Sequence, residues 1–142
     1  MIQEDLRRVG IELDLRSYEF ATFFADVLKG NFQMFSLIWT GALVDPDILR
    51  RVFHSDQVPP FGFNRGFYNN PDVDRWLDHA TNSTDEAERE HAYREAQKII
   101  AVDAPYIPIW NRTNVIVAQP SLEGLHLNAI GDFQALKDVT RR

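Results

Sequence analysis

Trp39, Gly41 and Ala42 sit in the run Ile38-Trp39-Thr40-Gly41-Ala42-Leu43-Val44-Asp45-Pro46-Asp47, where an apolar segment gives way to small residues and then to Asp-Pro-Asp. In open α/β sheets ligands settle at the carboxyl ends of strands, so an indole at such a corner can stack on a ligand. It can also fill a core beside the helix that Pro46 starts, since tryptophans at an amphipathic boundary do either. Asn64 and Arg65, in a stretch rich in Pro, Gly and Asn, can offer polar contacts or tie down their own loop. Trp110 and Asn111 follow an extended proline segment; they reach the same cleft or pack as an edge. Asp45 reads as a helix cap, because Pro46 follows it directly.

Other chemistries find less support. His54, His79, His91 and His126 include no pair at i, i+4 and no accompanying carboxylate motif, so a metal site, nickel included, is not expected. Ser55 stands between His54 and Asp56, but sequence neighbours cannot form a catalytic relay and no Gly-x-Ser-x-Gly elbow exists. Asp85, Glu86, Glu88, Glu90 and Glu95 make an acidic helical face, either a solvated surface or a face for docking to a partner. No cofactor is expected. The tripeptides at Asn82 and Asn111 that match the glycosylation pattern are common by chance.

These side chains must be positioned by a chain of 142 residues, enough for one domain with a real core, or for a piece of a larger one. Hydrophobic residues make up 44% and charged residues 25%, which argues for a globular protein rather than a disordered one. The net charge of -6 and the absence of any long Lys/Arg cluster remove the electrostatic footprint that nucleic-acid binding needs. Apolar runs fall far short of the roughly 20 residues that span a bilayer. With no cysteine, disulfides and thiolate chemistry are excluded, and either redox compartment is compatible. The N-terminal residues carry no export-signal pattern.

Periodicity supplies the elements. Ile2, Leu6 and Val9 share a helical face that Gly10 ends, and Ile11–Arg16 alternates as a half-buried strand does. Phe20, Phe23, Phe24, Val27 and Leu28 define an amphipathic helix closed by Gly30; Phe32–Trp39 then reads as a strand buried on both faces. Strand, helix, strand predicts a right-handed βαβ unit with parallel strands. Asp45 caps a helix bearing Ile48, Leu49, Val52 and Phe53. Residues 54–70 form a long ordered loop, since a solvated linker would not carry Phe61, Phe63, Phe67 and Tyr68. Asn70-Pro71 opens a helix with Val73, Trp76, Leu77 and Ala80. Ser83 and Glu86 form a capping box for the longest helix, and the two helices make a hairpin. Residues 104–110 must be extended around their prolines, 115–118 read as a further strand, and Leu125 and Leu127 as a short extended piece.

This succession resembles the C-terminal part of the extracytoplasmic solute-binding proteins of the peptide/nickel class, which deliver ligands to ABC importers. The resemblance runs through Val9-Gly10-Ile11, Gly30-Asn31-Phe32-Gln33, Trp39 followed by Asp45-Pro46-Asp47, and Phe53-His54-Ser55. It continues through Asn64-Arg65-Gly66-Phe67-Tyr68-Asn69-Asn70-Pro71-Asp72-Val73-Asp74, Ala96-Gln97-Lys98-Ile99-Ile100 and Asp103-Ala104-Pro105-Tyr106-Ile107-Pro108. No one match is specific; their order from about residue 2 to 126 is.

The resemblance implies an α/β fold: a partial lobe of the type II periplasmic-binding-protein kind, with a βαβ unit, a mixed sheet and a helical hairpin. Residues 1–142 would form a single partial domain, the C-terminal part of the second lobe. It implies binding rather than catalysis, a peptide or similar small polar ligand, a membrane permease as partner, an N-terminal lobe of the same protein, and a periplasmic or extracytoplasmic location. The expected ligand-binding residues are Trp39, Gly41, Ala42, Asn64, Arg65, Trp110 and Asn111. Peptide-binding relatives carry at the position of Ala42 an aspartate that pairs with the ligand's ammonium group, so that contact is not expected here. Two rival readings remain: an interaction module using the aromatic loop and an open sheet edge, and an α/β hydrolase-like enzyme. The second lacks converging carboxylates in residues 58–70.

Overall fold

The computed structural model describes residues 2–39, 45–111, 113–127, 131 and 133–142. Helix α1 spans Ile2–Arg8, and Gly10 beyond it takes φ 83°, as the sequence predicts. Helix α2 spans Phe20–Lys29; the Glu19 carboxylate accepts from the Ala21 N–H at 2.8 Å, a cap that the apolar periodicity does not reveal. Gly30 ends it in the left-handed conformation, φ 75°, and a Cβ there would stand 3.0 Å from the Phe67 ring. The left-handed φ is what favours glycine there, and the Phe67 ring leaves little room for a Cβ.

Helix α3, Ile48–Phe53, begins two residues later than Pro46 would start it: Asp47 occupies the cap position, and Asp45 Oδ1 accepts from the Asp47 N–H at 2.8 Å. Helix α4, Pro71–Asn82, is capped by Asn70, whose Oδ1 accepts from Asp72 N at 3.0 Å. Helix α5, Glu86–Asp103, is capped by Asp85 and not by Ser83; Ser83 Oγ instead donates to Glu88 and accepts from the Asp85 N–H.

The core lies in the α4–α5 hairpin. Val73, Leu77 and Ala80 close against Ala92, Tyr93 and Ala96, with Leu49 and Phe53 of α3 and Tyr68, Trp76, Ile99 and Ile100 packed around them. Each large side chain buried this way contributes about 1.5–3 kcal/mol. Two helices whose facing residues are mostly small can approach closely, and this explains why three alanines line the seam.

Residues 54–70 are the ordered loop that the sequence predicts. Asn64 is 1% exposed, and its Nδ2 donates to the carbonyls of Tyr68 at 2.7 Å and His54 at 3.1 Å, while its Oδ1 accepts from Tyr68 N at 2.9 Å. Gly62 is obligatory, because a Cβ would lie 2.0 Å from the Gln57 carbonyl oxygen. The loop is tied to the end of α5 by Asp103, which accepts from the Tyr68 hydroxyl and from Asn70 Nδ2 at 2.7 Å.

Those two bonds hold the Asp103 carboxyl below its ordinary value of 3.8. A depressed carboxylate stabilises the fold above that value and loses its contribution as pH falls through the lower, folded one. Tyr68→Phe is therefore expected to lose stability at neutral pH and to show a flatter decline below pH 3.8 than the parent, measured by urea midpoints across that range. Parallel curves for the two proteins would refute this tether.

The expected strands are not paired. Among the described residues the one ladder joins β1, Leu122–Glu123, to β2, Thr140–Arg141, antiparallel, with Leu122 opposite Arg141. Residues 11–16, 32–39, 104–110 and 115–118 make no ladder, so neither the βαβ pairing nor the mixed sheet forms among the described residues. Phe32–Trp39, expected to be buried on both faces, leaves Met34, Ile38 and Trp39 exposed. A strand is buried on two faces only when neighbours and covering helices supply both, and none of the described elements does so here.

A candidate ligand-binding face at Trp39

Trp39 ends the apolar segment and is 47% exposed. Phe63, carried in by the Asn64-clasped loop, meets it edge-on with centroids 6.0 Å apart. The Arg65 guanidinium carbon lies 5.0 Å from the Phe24 ring centroid, 5.1 Å from Trp39 and 5.5 Å from Phe63. Three elements thus converge on one cation: α2 through Phe24, the apolar segment through Trp39, and the loop through Phe63 and Arg65 itself. Each such contact is worth about 0.5–2 kcal/mol, the upper end applying where water is excluded.

Arg65 forms no ion pair among the described residues, and its Nε is buried without a hydrogen-bond partner. The Tyr106 hydroxyl is in the same condition, its ring set against Phe53 at 5.4 Å. Burial pushes the Tyr106 phenol above its ordinary pKa while the charge of Arg65 pulls the other way, so the two groups share one field. In the sequence Phe24, Phe63 and Tyr106 stand only as helix, loop and motif residues, and none of them is placed at the site. Tyr106 lies between two prolines that signal extended backbone, and nothing in that pattern says which way its ring turns.

Of the expected ligand-binding residues, Trp39 and Arg65 are brought into contact. Asn64 is adjacent, with both amide hydrogens committed to the loop. Gly41 and Ala42 lie outside the described residues. Trp110 is 65% exposed, and no ring contact joins it to Trp39; Asn111 is exposed too.

Near the Asp-Pro-Asp corner a concavity of about 470 Å³ is lined by Asp45, Asp47, Arg51, Arg89 and Tyr93, and Trp39 is not among its walls.

His54 is buried beside the loop. Its Nδ1 lies 2.7 Å from Asp56 Oδ1, and its Nε2 lies 3.2 Å from Asp78 Oδ1 without the alignment of a hydrogen bond. Arg50 bridges the same two carboxylates at 2.8 and 3.3 Å. Ser55 Oγ donates to Asp74, so this network fastens the loop to α4. Among the described residues no three His, Asp or Glu side chains are grouped as a metal site requires, and no helix is long and apolar enough to cross a membrane.

No family model matches the chain. It is 28% identical over 89% of its length to the probable D,D-dipeptide-binding periplasmic protein DdpA of Escherichia coli K12, covering 24% of that protein. It is 30% identical over 88% of its length to the glutathione-binding protein GsiB of Pectobacterium atrosepticum, covering 26% of it. The fold superimposes with a TM-score of 0.69 on the ABC transporter-associated periplasmic binding protein DppA from Helicobacter pylori in complex with the peptide STSA. That match is 31% identical and covers 75% of this chain and 21% of the other. The chain spans about a quarter of the length of the curated relatives it matches.

Proposed function

From a chain related in sequence and fold to the peptide-class periplasmic binding proteins of ABC importers, we propose that it supplies one wall of a solute-binding site. The intact protein would capture a peptide or similar small polar solute outside the cytoplasm and hand it to a membrane permease. The observation that carries this reading is the relationship to dipeptide- and glutathione-binding proteins over nearly nine-tenths of the chain. The exposed Trp39 ring, held by Phe63 and Arg65, supports placing the ligand there. Residues 1–142 are read as a single partial domain whose unpaired apolar segments are completed by the remainder of the protein. Binding, not bond-making, is the chemistry proposed. Gly41, Ala42, Trp110 and Asn111 are assigned to the same wall, and Asn64 to holding it in shape.

Proteins of this kind enclose a ligand between two walls and shift an open–closed equilibrium, so one wall alone binds weakly. Calorimetry of this chain with dipeptides is expected to give dissociation constants weaker than about 1 mM, equivalent to about −4 kcal/mol. Amide shifts at higher dipeptide concentration should gather on Trp39, Phe63 and Arg65. Micromolar binding, or shifts confined to α4 and α5, would overturn the reading.

A further inference from the structure

His54 is 6% exposed, and both of its ring nitrogens look onto carboxylates. Nδ1 lies 2.7 Å from Asp56 Oδ1 and 3.1 Å from the Asp56 backbone nitrogen, whose N–H points at it. Nε2 lies 3.2 Å from Asp78 Oδ1, and Asp74 Oδ1 comes within 3.8 Å of Nδ1. Asp56 belongs to the loop, Asp74 and Asp78 to α4. Among the described residues Arg50 of α3 is the one other cation paired with these carboxylates, at 2.8 Å from Asp56 and 3.3 Å from Asp78. One fixed cation among three carboxylates leaves the cluster short of positive charge.

Nδ1 cannot serve both of its neighbours at once. A lone pair is needed to accept from the Asp56 N–H, and a proton is needed to donate to the Asp56 carboxylate. A neutral ring carries one proton, so whichever nitrogen keeps it, the other turns a lone pair on a carboxylate oxygen: Nδ1 on Asp56 or Nε2 on Asp78. The imidazolium, with a proton on each nitrogen, is the form that meets both. Burial raises the Asp56 carboxyl, but bonds from Gln57 and Arg50 and the charge of His54 outweigh this and hold it below its ordinary 3.8. Asp56 is therefore ionised throughout the range in which histidines change charge.

We propose that His54 is a proton-operated fastener of residues 54–70. As imidazolium it pins the start of the loop through Asp56 and ties it to α4 through Asp78; on losing a proton it slackens the loop that carries Phe63 and Arg65 to Trp39. The device concerns the shape of that face and holds whatever the face binds. A group whose charged form gains partners on folding adds stability while protonated and loses that contribution as pH rises. The dependence thus runs opposite to that of Asp103, whose contribution is lost in acid, and occupies a separate range.

The test is the urea midpoint of the 142-residue chain between about pH 5 and about pH 8. The parent is expected to lose about 0.5–1 M of urea midpoint as pH rises across that range. The Trp39 indole resonance should move along the same course. His54→Gln keeps the exposed His79, His91 and His126, so it isolates the buried ring, and its midpoint is expected to be nearly level. Asp78→Asn leaves the ring in place and removes the carboxylate at Nε2, which should shrink the fall by about half; it decides alone if His54→Gln does not fold, as judged by helical circular dichroism at about pH 5. A parent midpoint level over the range, or a fall that the deciding variant keeps in full, would overturn the fastener. A fall with the Trp39 resonance fixed would overturn its link to the face. None of these outcomes touches the ligand reading.

Discussion

Leu77→Ala is expected to abolish most of the helical circular dichroism of this chain at 25 °C. Leu77 is fully buried at the centre of the α4–α5 seam, where the other buried side chains are Val73, Ala80, Ala92, Tyr93 and Ala96, so its removal leaves a gap in the part of the core that holds the hairpin together. Removing a buried leucine to alanine costs about 2–5 kcal/mol, most where the site cannot collapse. Ordinary domains are stable by only about 5–15 kcal/mol in total. A chain whose large buried side chains are few has little beyond this hairpin to sustain it, so the loss consumes most of the margin. Phe61, 98% exposed, is the control: Phe61→Ala should stay within about 0.5 kcal/mol of the parent. Equal urea midpoints for the two variants would place the core elsewhere.

Asn64→Asp is expected to be nearly as damaging, though it changes one atom. The amide donates to two carbonyl oxygens; the aspartate replaces both donors with a charged oxygen aimed at those same acceptors. Losing two buried hydrogen bonds and leaving a charge facing unpaired carbonyls costs on the order of 3 kcal/mol or more. The loop should open, and with it the Phe63–Arg65–Trp39 contact, so the Trp39 indole resonance should shift along with the fall in urea midpoint. An Asn64→Asp chain with an unchanged midpoint at pH 7 would show that the clasp is not what shapes the loop.

These two residues show why parts of the molecule were legible in advance. Leu77 belongs to a helical stripe with Val73 and Ala80, and such a stripe needs only one facing helix, which the chain itself provides. The α4–α5 hairpin, the αL cap at Gly30 and the cap at Asn70 were all readable for that reason. The caps at Asp47 and Asp85 lie two residues beyond the expected Asp45 and Ser83: Asp85 takes the Glu88 N–H, while Asp45 bonds the Asp47 N–H ahead of the helix and Asp47 itself makes no side-chain cap bond. Strands are different in kind. The alternation of Ile11, Leu13 and Leu15 tells which face is apolar but not what covers it, and residues 11–16 and 32–39 find no ladder partner among the described residues. Periodicity of that sort gives the apolar face of a segment and carries no signature of the element that would pair with it.

The candidate site was partly readable. The sequence offers Trp39 and Arg65 as separate candidates, and their direct contact, with Phe24 and Phe63 beside it, is a tertiary fact with no signature in spacing. Asn64 had two readings, and its hydrogen bonds show the loop-tying one. Tyr106 was missed because an orphaned hydroxyl is visible only once its surroundings are known.

Incorporating 5-fluorotryptophan gives three fluorine resonances, from Trp39, Trp76 and Trp110, that report separately on the proposed wall, the hairpin core and the extended proline segment. On titration with a dipeptide, the resonance of Trp39 is expected to move progressively while that of Trp76 stays fixed. A moving Trp76 line with Trp39 unchanged would contradict the assignment of the ligand to this face.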